Sequence, residues 1–304
     1  MTPDLDFSFE VRSAMEAGAP VVALESAIIA HGMPIPQNIE TVRSVEATIR
    51  KRGATPATIA VIDGRMKIGL DDTELDAFGR ATGVAKLSRA DMATCIATGG
   101  TGATTVAATM IAAHLAGIEV FATGGIGGVH KGAEASFDVS ADLHEIAQTP
   151  VTVVAAGAKA ILDIPKTLEV LETLGVPVIA YGQDTFPAFW SQSSGIKAPI
   201  RMDDAITVAR SHRIRAALGV SGGQLIANPI PAEDEIPVEE LDSIIAAAAR
   251  DAAGLDVTGK AVTPFLLSRI FDLTDGASLK ANIALVMNNA RLAAEIAVSL
   301  RSLK

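Results

Sequence analysis

Short, nearly continuous apolar runs alternate with amphipathic stretches along most of the 304-residue chain. Runs of this kind are typical of strands that are buried on both faces of a sheet. They predict five strands, at residues 20–25, 57–63, 118–123, 151–156 and 177–182. Because helical patterns separate the strands, the sequence predicts an α/β fold with three layers, α/β/α, in which helices cover both faces of the sheet.

Two of the intervening segments have clear helical signals. Residues 38–53 place four aliphatic side chains on one stripe, namely Ile39, Val42, Val45 and Ile49. Residues 165–175 begin with Pro165, which is favoured in the first helical turn, and end at a glycine. Asp63-Gly64, between two apolar runs, is typical of a tight hairpin, so we expect a mixed, largely parallel sheet.

The chain shows no repeat of fixed period and no low-complexity segment. Residues 228–240 contain three prolines and five acids, which predicts an exposed linker or surface loop. Two long helical patterns follow, and they could cap the sheet as readily as form a second domain. We favour a single domain over residues 1–304.

Composition narrows the possible partners and compartments. The net charge is -10 with a pI near 5.0, and no block of basic residues interrupts it, which disfavours nucleic-acid polymers and anionic membranes. Cys95 is the only cysteine, which excludes an intrachain disulfide and favours a reducing compartment. The acidic start of the chain lacks the pattern of a secretory signal. The longest apolar stretch contains His114 and Glu119, which disfavours a membrane-spanning helix. We expect a soluble, cytoplasmic protein.

Three glycine clusters lie at the ends of apolar runs or at helix starts, at residues 97–105, 123–133 and 221–224. Backbone N–H groups in such places can surround a phosphate or a carboxylate. None of the clusters matches a dinucleotide fingerprint or a P-loop. Tight turns are the ordinary explanation for glycine pairs, yet three clusters together favour a phosphorylated ligand modestly.

Glu25 closes the first apolar strand in VVALESAIIAHGMP. Ligands of open α/β sheets bind beyond the carboxyl ends of the strands, so Glu25 is well placed to contact one. Apolar surroundings raise the pKa of a carboxyl group, which suits a general acid. A turn carboxylate that faces water explains the position equally well.

Lys159 is the one basic residue in the apolar stretch VTVVAAGAKAILDIP. Complete burial lowers the pKa of a lysine by about 3–5 units and frees the amine, which is the environment that Schiff-base lysines use. Alternatively, the amine stays charged and either extends to water or pairs with Asp163 one helical turn later. The residues alone slightly favour this second interpretation.

Two acids lie four residues apart in ASFDVSADLHE, Asp138 and Asp142. If residues 140–147 are helical, Ser140 is the N-cap and Asp142 is an acid of the first turn that the helix dipole favours. The same two carboxylates could instead hold a hard divalent cation through water. His130 lies beside the middle glycine cluster, and only these neighbours make it a candidate site residue.

Eight separated segments carry a family resemblance: ALESAIIAHGMP, AKLSRAD, GGTGATTVAATM, FATGGIGGVHKGAE, FDVSADL, AAGAKAILDIP, TPFLL and SLKANIALVMNNA. In these segments and their order, the chain resembles the pseudouridine-5'-phosphate glycosidase family, also described as indigoidine-synthase-A-like. The resemblance covers nearly the whole length. It implies an enzyme of the carbon–oxygen lyase class (a hydro-lyase, or pseudouridylate synthase) that reversibly cleaves pseudouridine 5'-phosphate to uracil and ribose 5-phosphate with a divalent metal, manganese.

Residue by residue, the resemblance makes Lys159 the covalent nucleophile, Glu25 the proton donor and Asp138 the acid linked to the metal through coordinated water. It assigns substrate binding to Lys86, Val106, Ser140, Ala141 and Asp142, with Thr105, His130 and Asn282 as further candidates. It also implies a homotrimer.

Other functions use the same residues. A Schiff-base aldolase or lyase acting on another sugar phosphate would need the same lysine and anion sites. In a non-catalytic sugar-phosphate sensor, Lys159 would be only a charged ligand. A dehydrogenase that binds a dinucleotide at the glycine clusters is a poor third.

Overall fold

The computed structural model describes residues 5–255, 257 and 262–303. Strands β1 to β11 are Leu5–Phe7, Val21–Leu24, Thr55–Ile62, Arg65–Ile68, Ala85–Leu87, Gly102–Thr104, Val120–Ala122, Thr152–Ala155, Val178–Tyr181, Ile200–Met202 and Gln224–Ala227. Helices α1 to α13 are Phe9–Glu16, Ala27–His31, Gln37–Lys51, Asp72–Arg80, Met92–Ala97, Val106–Leu115, Ala133–Ser136, Ala141–Gln148, Ile164–Thr173, Ala205–Ala217, Val238–Gly254, Val262–Leu273 and Ala277–Ser302. All five predicted strands overlap an observed one.

The strands form one mixed, mostly parallel sheet, as predicted. Its order is β1-β4-β3-β2-β7-β8-β11-β9-β10, and β5 and β6 branch from β3. The antiparallel pairs are β3 with β4 and β3 with β6. The neighbours β2 and β7 are parallel, but the strand order reverses between them, because β2 leads to β3 on one side and β7 leads to β8 on the other. Such a switch point opens a crevice at the carboxyl ends of the strands.

The local signals explain the main elements. Asp63 and Gly64 both have positive φ, 49° and 74°, which is the conformation of a tight hairpin turn between β3 and β4. In α3 the predicted aliphatic stripe is buried, with Ile49 fully inaccessible to solvent. Helix α9 follows the predicted start, since Pro165 lies in its first turn and the side chain of Asp163 caps it.

Two groups of helices cover the sheet. Helices α3, α10 and α13 pack side by side, and α13 lies across β2, β7 and β8. Helices α6, α8 and α9 form the second group, and α6 also packs on β2 and β7. Since α6 and α13 cover the same central strands, they lie on opposite faces, which confirms the predicted three layers.

Helix α13 is the one helix among the described residues that is long and apolar enough to cross a membrane by length and composition. In this fold it packs on the sheet, and 56% of its apolar window is buried.

The prediction of an exposed linker at residues 228–240 is wrong in part. Glu233, Asp234 and Glu235 form or flank a short 3-10 helix, Ala232–Asp234, and the other two acids lie in the first turn of α11. Ile230 and Ile236 are buried, however, and the backbone N–H of Ile236 donates to the carbonyl of Trp190. The two isoleucines therefore fasten this segment to the core.

Candidate active site

A cavity of about 370 Å³ opens at the switch point between β2 and β7. Glu25 and Thr123 follow these two strands directly, and Lys159 lies in the segment after β8. Every site residue predicted from the sequence lines this cavity: Glu25, Lys86, Thr105, Val106, His130, Asp138, Ser140, Ala141, Asp142, Lys159 and Asn282. The fold thus brings together residues that are spread over most of the chain, while their individual roles remain predictions.

Glu25 has the environment of a proton donor. Burial raises the pKa of this carboxyl group above its ordinary value, against the charge of Lys159 and a hydrogen bond that the Thr123 hydroxyl donates to Oε1. One side of Glu25 remains open to the cavity, so its surface is only half-buried. A carboxyl group with a raised pKa holds its proton closer to neutral pH, as a general acid requires.

Lys159 lies at the edge of the core, and its side chain is half-buried. The residues before it, Ala155 to Ala158, are fully buried, so the apolar run belongs to the protein interior up to Lys159. The backbone N–H of Lys159 donates to the carbonyl of Ile126 at 3.1 Å, which fixes the segment next to β7. The amine is close enough to Glu25 to influence the pKa of that carboxyl.

The alternative pairing of Lys159 with Asp163 is wrong. Asp163 accepts a hydrogen bond from the backbone N–H of Lys166 at 3.0 Å and pairs with the amine of the same residue at 3.0 Å. Among the described residues, no carboxylate lies within ion-pair distance of Lys159. Its amine is therefore available to a ligand in the cavity.

The second wall of the cavity is suited to an anion. Helix α6 begins there at Val106, and the N-terminal N–H groups of a helix attract negative charge. The hydroxyl of Thr105, just before the helix, is buried without a hydrogen-bond partner. Lys86 on β5 adds positive charge to this wall. Its charge lowers the pKa of His31 and opposes, in part, the rise that burial causes in the pKa of Glu25.

Asp142 fastens this wall to the neighbouring loop. Its Oδ1 accepts from the backbone N–H of Ala107 at 2.9 Å, and its Oδ2 accepts from the N–H of Gly127 at 2.8 Å. Helix α8 begins as predicted, because the Ser140 side chain accepts from the N–H of Asp142. Both carboxylate oxygens of Asp142 are thus already engaged, which makes this residue an organiser of the wall.

The glycine clusters divide into two kinds. In the middle cluster, Gly124, Gly125 and Gly127 line the cavity, and in the first only its last residue, Thr105, does so. The expectation that residues 221–224 could bind an anion is not supported. A Cβ at Gly222 would lie 2.1 Å from the carbonyl oxygen of Ala147, so close backbone packing explains this pair.

Asp138 lies at the mouth of the cavity with 43% of its side chain exposed. His130 is a potential co-ligand, with its Nδ1 at 4.0 Å from Oδ2 of Asp138. Within the described ranges, no group of three or more histidine, cysteine or acidic side chains could hold a metal. The residues therefore do not form a dedicated cage, but one accessible carboxylate fits a divalent cation that keeps most of its water.

Sequence reasoning missed several residues that line the cavity, among them His31, Ser88, Phe189 and Thr263. His31 is notable because its Nε2 is buried without a partner, and burial followed by the charge of Lys86 lowers its pKa. His31, Ser88 and Thr263 lie inside three of the segments that carry the family resemblance, which was the available signal. Phe189 lies outside them all.

Comparison with known proteins shows the family of this chain. The family model described as indigoidine synthase A like protein matches residues 10–299, and the chain belongs to that family. A pseudouridine-5'-phosphate glycosidase of Jannaschia sp. (strain CCS1) is 67% identical over 99% of both chains. Another, of Roseobacter denitrificans, is 68% identical over 97% of this chain and 96% of the relative.

A solved structure extends the comparison. The prealnumycin C-glycosynthase in complex with ribulose 5-phosphate superposes with a TM-score of 0.91, at 37% identity and over 99% of both chains. This solved relative therefore shares the whole fold with this chain.

Proposed function

We propose that this chain reversibly cleaves the C–C glycosidic bond of pseudouridine 5'-phosphate, giving uracil and ribose 5-phosphate through a lysine imine. The observation that carries the proposal is the placement of Glu25 and Lys159 in one cavity, beside a wall that suits a phosphate. The names of the curated relatives support this substrate. The sugar phosphate in the solved relative supports the ligand class.

The bond to be broken joins C1' of ribose to C5 of uracil, so the leaving group is carbon. Protonation of a glycosidic oxygen by one carboxyl group, the usual route of glycosidases, does not break such a bond. A nitrogen nucleophile supplies what is missing, because its lone pair can push out the uracil ring and form a C=N bond. This requirement explains why an amine and an acid are both needed.

The reaction begins with opening of the ribose ring. Glu25 protonates the ribose ring oxygen while the C1'–O bond opens, and the uracil ring supplies the electrons and loses its N1 proton. Lys159 then adds to C1' and loses a proton, and N1 of uracil regains one. After C5 is protonated, the lysine nitrogen expels uracil and leaves an imine on open-chain ribose 5-phosphate. Water hydrolyses the imine, and the amine is restored.

The anion-binding wall would hold the phosphate away from the reacting atoms. Lys86, Thr105 and those first-turn N–H groups of α6 that Asp142 does not take are suited to its oxygens. Binding energy from such remote contacts can orient C1' towards Lys159. In the resting site, burial favours the protonated form of Glu25, while the hydrogen bond that Thr123 donates holds the carboxyl group in place and opposes this effect in part.

We further propose that Asp138 holds a hydrated divalent cation, manganese in the first instance, at the mouth of the cavity. Such a cation supplies positive charge for phosphate or sugar oxygens. As part of the same proposal, the enzyme is a cytoplasmic homotrimer of the lyase class.

Uracil release from pseudouridine 5'-phosphate, followed by chromatography, tests the function. We expect the parent to release uracil, Lys159→Ala to release none above background, and Lys51→Ala, an exposed lysine of α3, to match the parent. A parent that releases no uracil in the presence of Mn²⁺ would contradict the proposal. An aldolase that acts on another sugar phosphate would also release no uracil, although its lysine would still form an imine.

A further inference from the structure

Asn282 on α13 lines the cavity, and its amide is held in one orientation. The indole Nε1–H of Trp190 donates to Oδ1 of Asn282 at 2.7 Å. Because an indole N–H can only donate, the atom that faces it must be the amide oxygen. The amide nitrogen has no hydrogen-bond partner among the described residues and is left to a ligand.

Trp190 is itself rigidly placed. Its side chain is 1% exposed, and its ring meets that of Phe189 edge to face, with centroids 5.1 Å apart. The carbonyl of Trp190 accepts from the N–H of Ile236 at 2.9 Å. Because the backbone of Trp190 is fixed and its indole is buried against Phe189, the indole cannot follow a rotating amide, so the tryptophan sets the amide orientation.

The segment before Trp190 is built to reach this position. Phe189 has a φ of 63°, a conformation that bulky residues rarely adopt, and its N–H donates to the carbonyl of Ala156 at 3.0 Å. The Phe189 ring passes so close to Gly125 that a Cβ there would lie 2.6 Å from Cε2. A glycine of the middle cluster therefore makes room for the aromatic pair.

We propose that Trp190 sets the hydrogen-bonding direction of Asn282, so that the cavity offers N–H donors to the ligand ring and selects a ring carbonyl over an amino group. The inference deepens the proposed function and rests on it, since the ring is then the uracil of pseudouridine 5'-phosphate. An amino group opposite the amide nitrogen would place donor against donor. Sites that leave a polar group unpaired in this way reject the wrong ligand strongly.

The kinetic test compares pseudouridine 5'-phosphate with its amino analogue, pseudocytidine 5'-phosphate. We expect the parent to prefer the carbonyl substrate by about 100-fold or more in kcat/KM. Trp190→Phe keeps an aromatic ring but frees the amide, so the preference should fall by about 10-fold, in line with one lost hydrogen bond. Asn282→Asp, which offers only acceptors, should lower it further.

Asn288→Asp is the matched control. Asn288 lies on the same helix but donates to the carbonyl of Pro229, and it does not line the cavity. The parent preference should persist in this variant. An unchanged preference in both Trp190→Phe and Asn282→Asp would overturn the inference.

A second readout needs no activity. The chain has one tryptophan, so its indole N–H gives a single assignable NMR signal. Asn282→Leu should move this signal upfield by removing the acceptor, and Asn288→Asp should leave it in place. An unmoved signal in Asn282→Leu overturns the inference even if uracil is released. A parent with the expected indole shift but no uracil release refutes the proposed function separately.

Discussion

Replacing Asp142 by asparagine should destabilise the fold, because this carboxylate joins two parts of the cavity wall. It is 6% exposed and accepts from the N–H groups of Ala107 and Gly127. Asparagine keeps one oxygen, so one of the two N–H groups loses its acceptor and meets an NH₂ group. A hydrogen bond to a charged group contributes about 1.5–3 kcal/mol. We therefore expect the free energy of unfolding to fall by about 2–3 kcal/mol.

Urea unfolding followed by circular dichroism measures this loss. The thermal midpoint should fall by about 3–5 °C, since an unfolding entropy of about 2.1 cal/mol/K per residue gives about 1.6 °C per kcal/mol for a chain of 304 residues. Asp138→Asn is the control, because its side chain is 43% exposed and its loss should change stability by less than about 0.5 kcal/mol. If Asp142→Asn unfolds at the same urea concentration as the parent, or if Asp138→Asn loses as much stability, the reasoning is wrong.

Three further predictions concern titration and metal. Burial raises the pKa of Glu25, so the parent loses folding stability as the pH rises and this buried carboxyl group has to ionise. Glu25→Gln has no such group, so its stability relative to the parent in urea unfolding should increase with pH. Glu119 has a pKa of about 2, chiefly through His212 and then Arg213, so its stabilisation is present above about pH 4.5 and is lost on acidification. Glu119→Gln should therefore be less stable than the parent at neutral pH, with a difference that shrinks below about pH 4.5. Dialysis against a chelator should abolish uracil release, and Mn²⁺ should restore it. Asp138→Asn should need more Mn²⁺ than the parent to reach its half-maximal rate. A parent rate that chelator does not change would contradict the role of Asp138.

Much of the fold could be predicted because its strands are buried on both faces. Such strands appear as apolar runs regardless of their neighbours, and the hairpin at Asp63-Gly64 is a local signal. The order of the strands could not be predicted, since parallel partners are brought together by crossovers and not by adjacent sequence. Strands β5 and β6 were missed because each has only three residues and, unlike the equally short β7, neither belongs to a predicted apolar run.

The candidate site shows the same division. Glu25 was identifiable as a charged residue at the end of an apolar run, and Lys159 as the one basic residue within another. The residues alone slightly favoured a charged Lys159 that either extends to water or pairs with Asp163, and only the fold reveals that Lys166 takes this partner. Phe189 and Trp190 could not be found, since they belong to an irregular segment whose position depends on contacts with Ala156 and Ile236.

Trapping of the imine tests the central claim most directly. The parent is incubated with ribose 5-phosphate and borohydride, which reduces an imine to a stable secondary amine, and its peptides are mapped by mass spectrometry. The account predicts one reduced sugar-phosphate adduct, on the peptide that contains Lys159, and none on Lys159→Ala. A parent that releases uracil while Lys159 remains unmodified under these conditions would contradict the covalent role of this lysine.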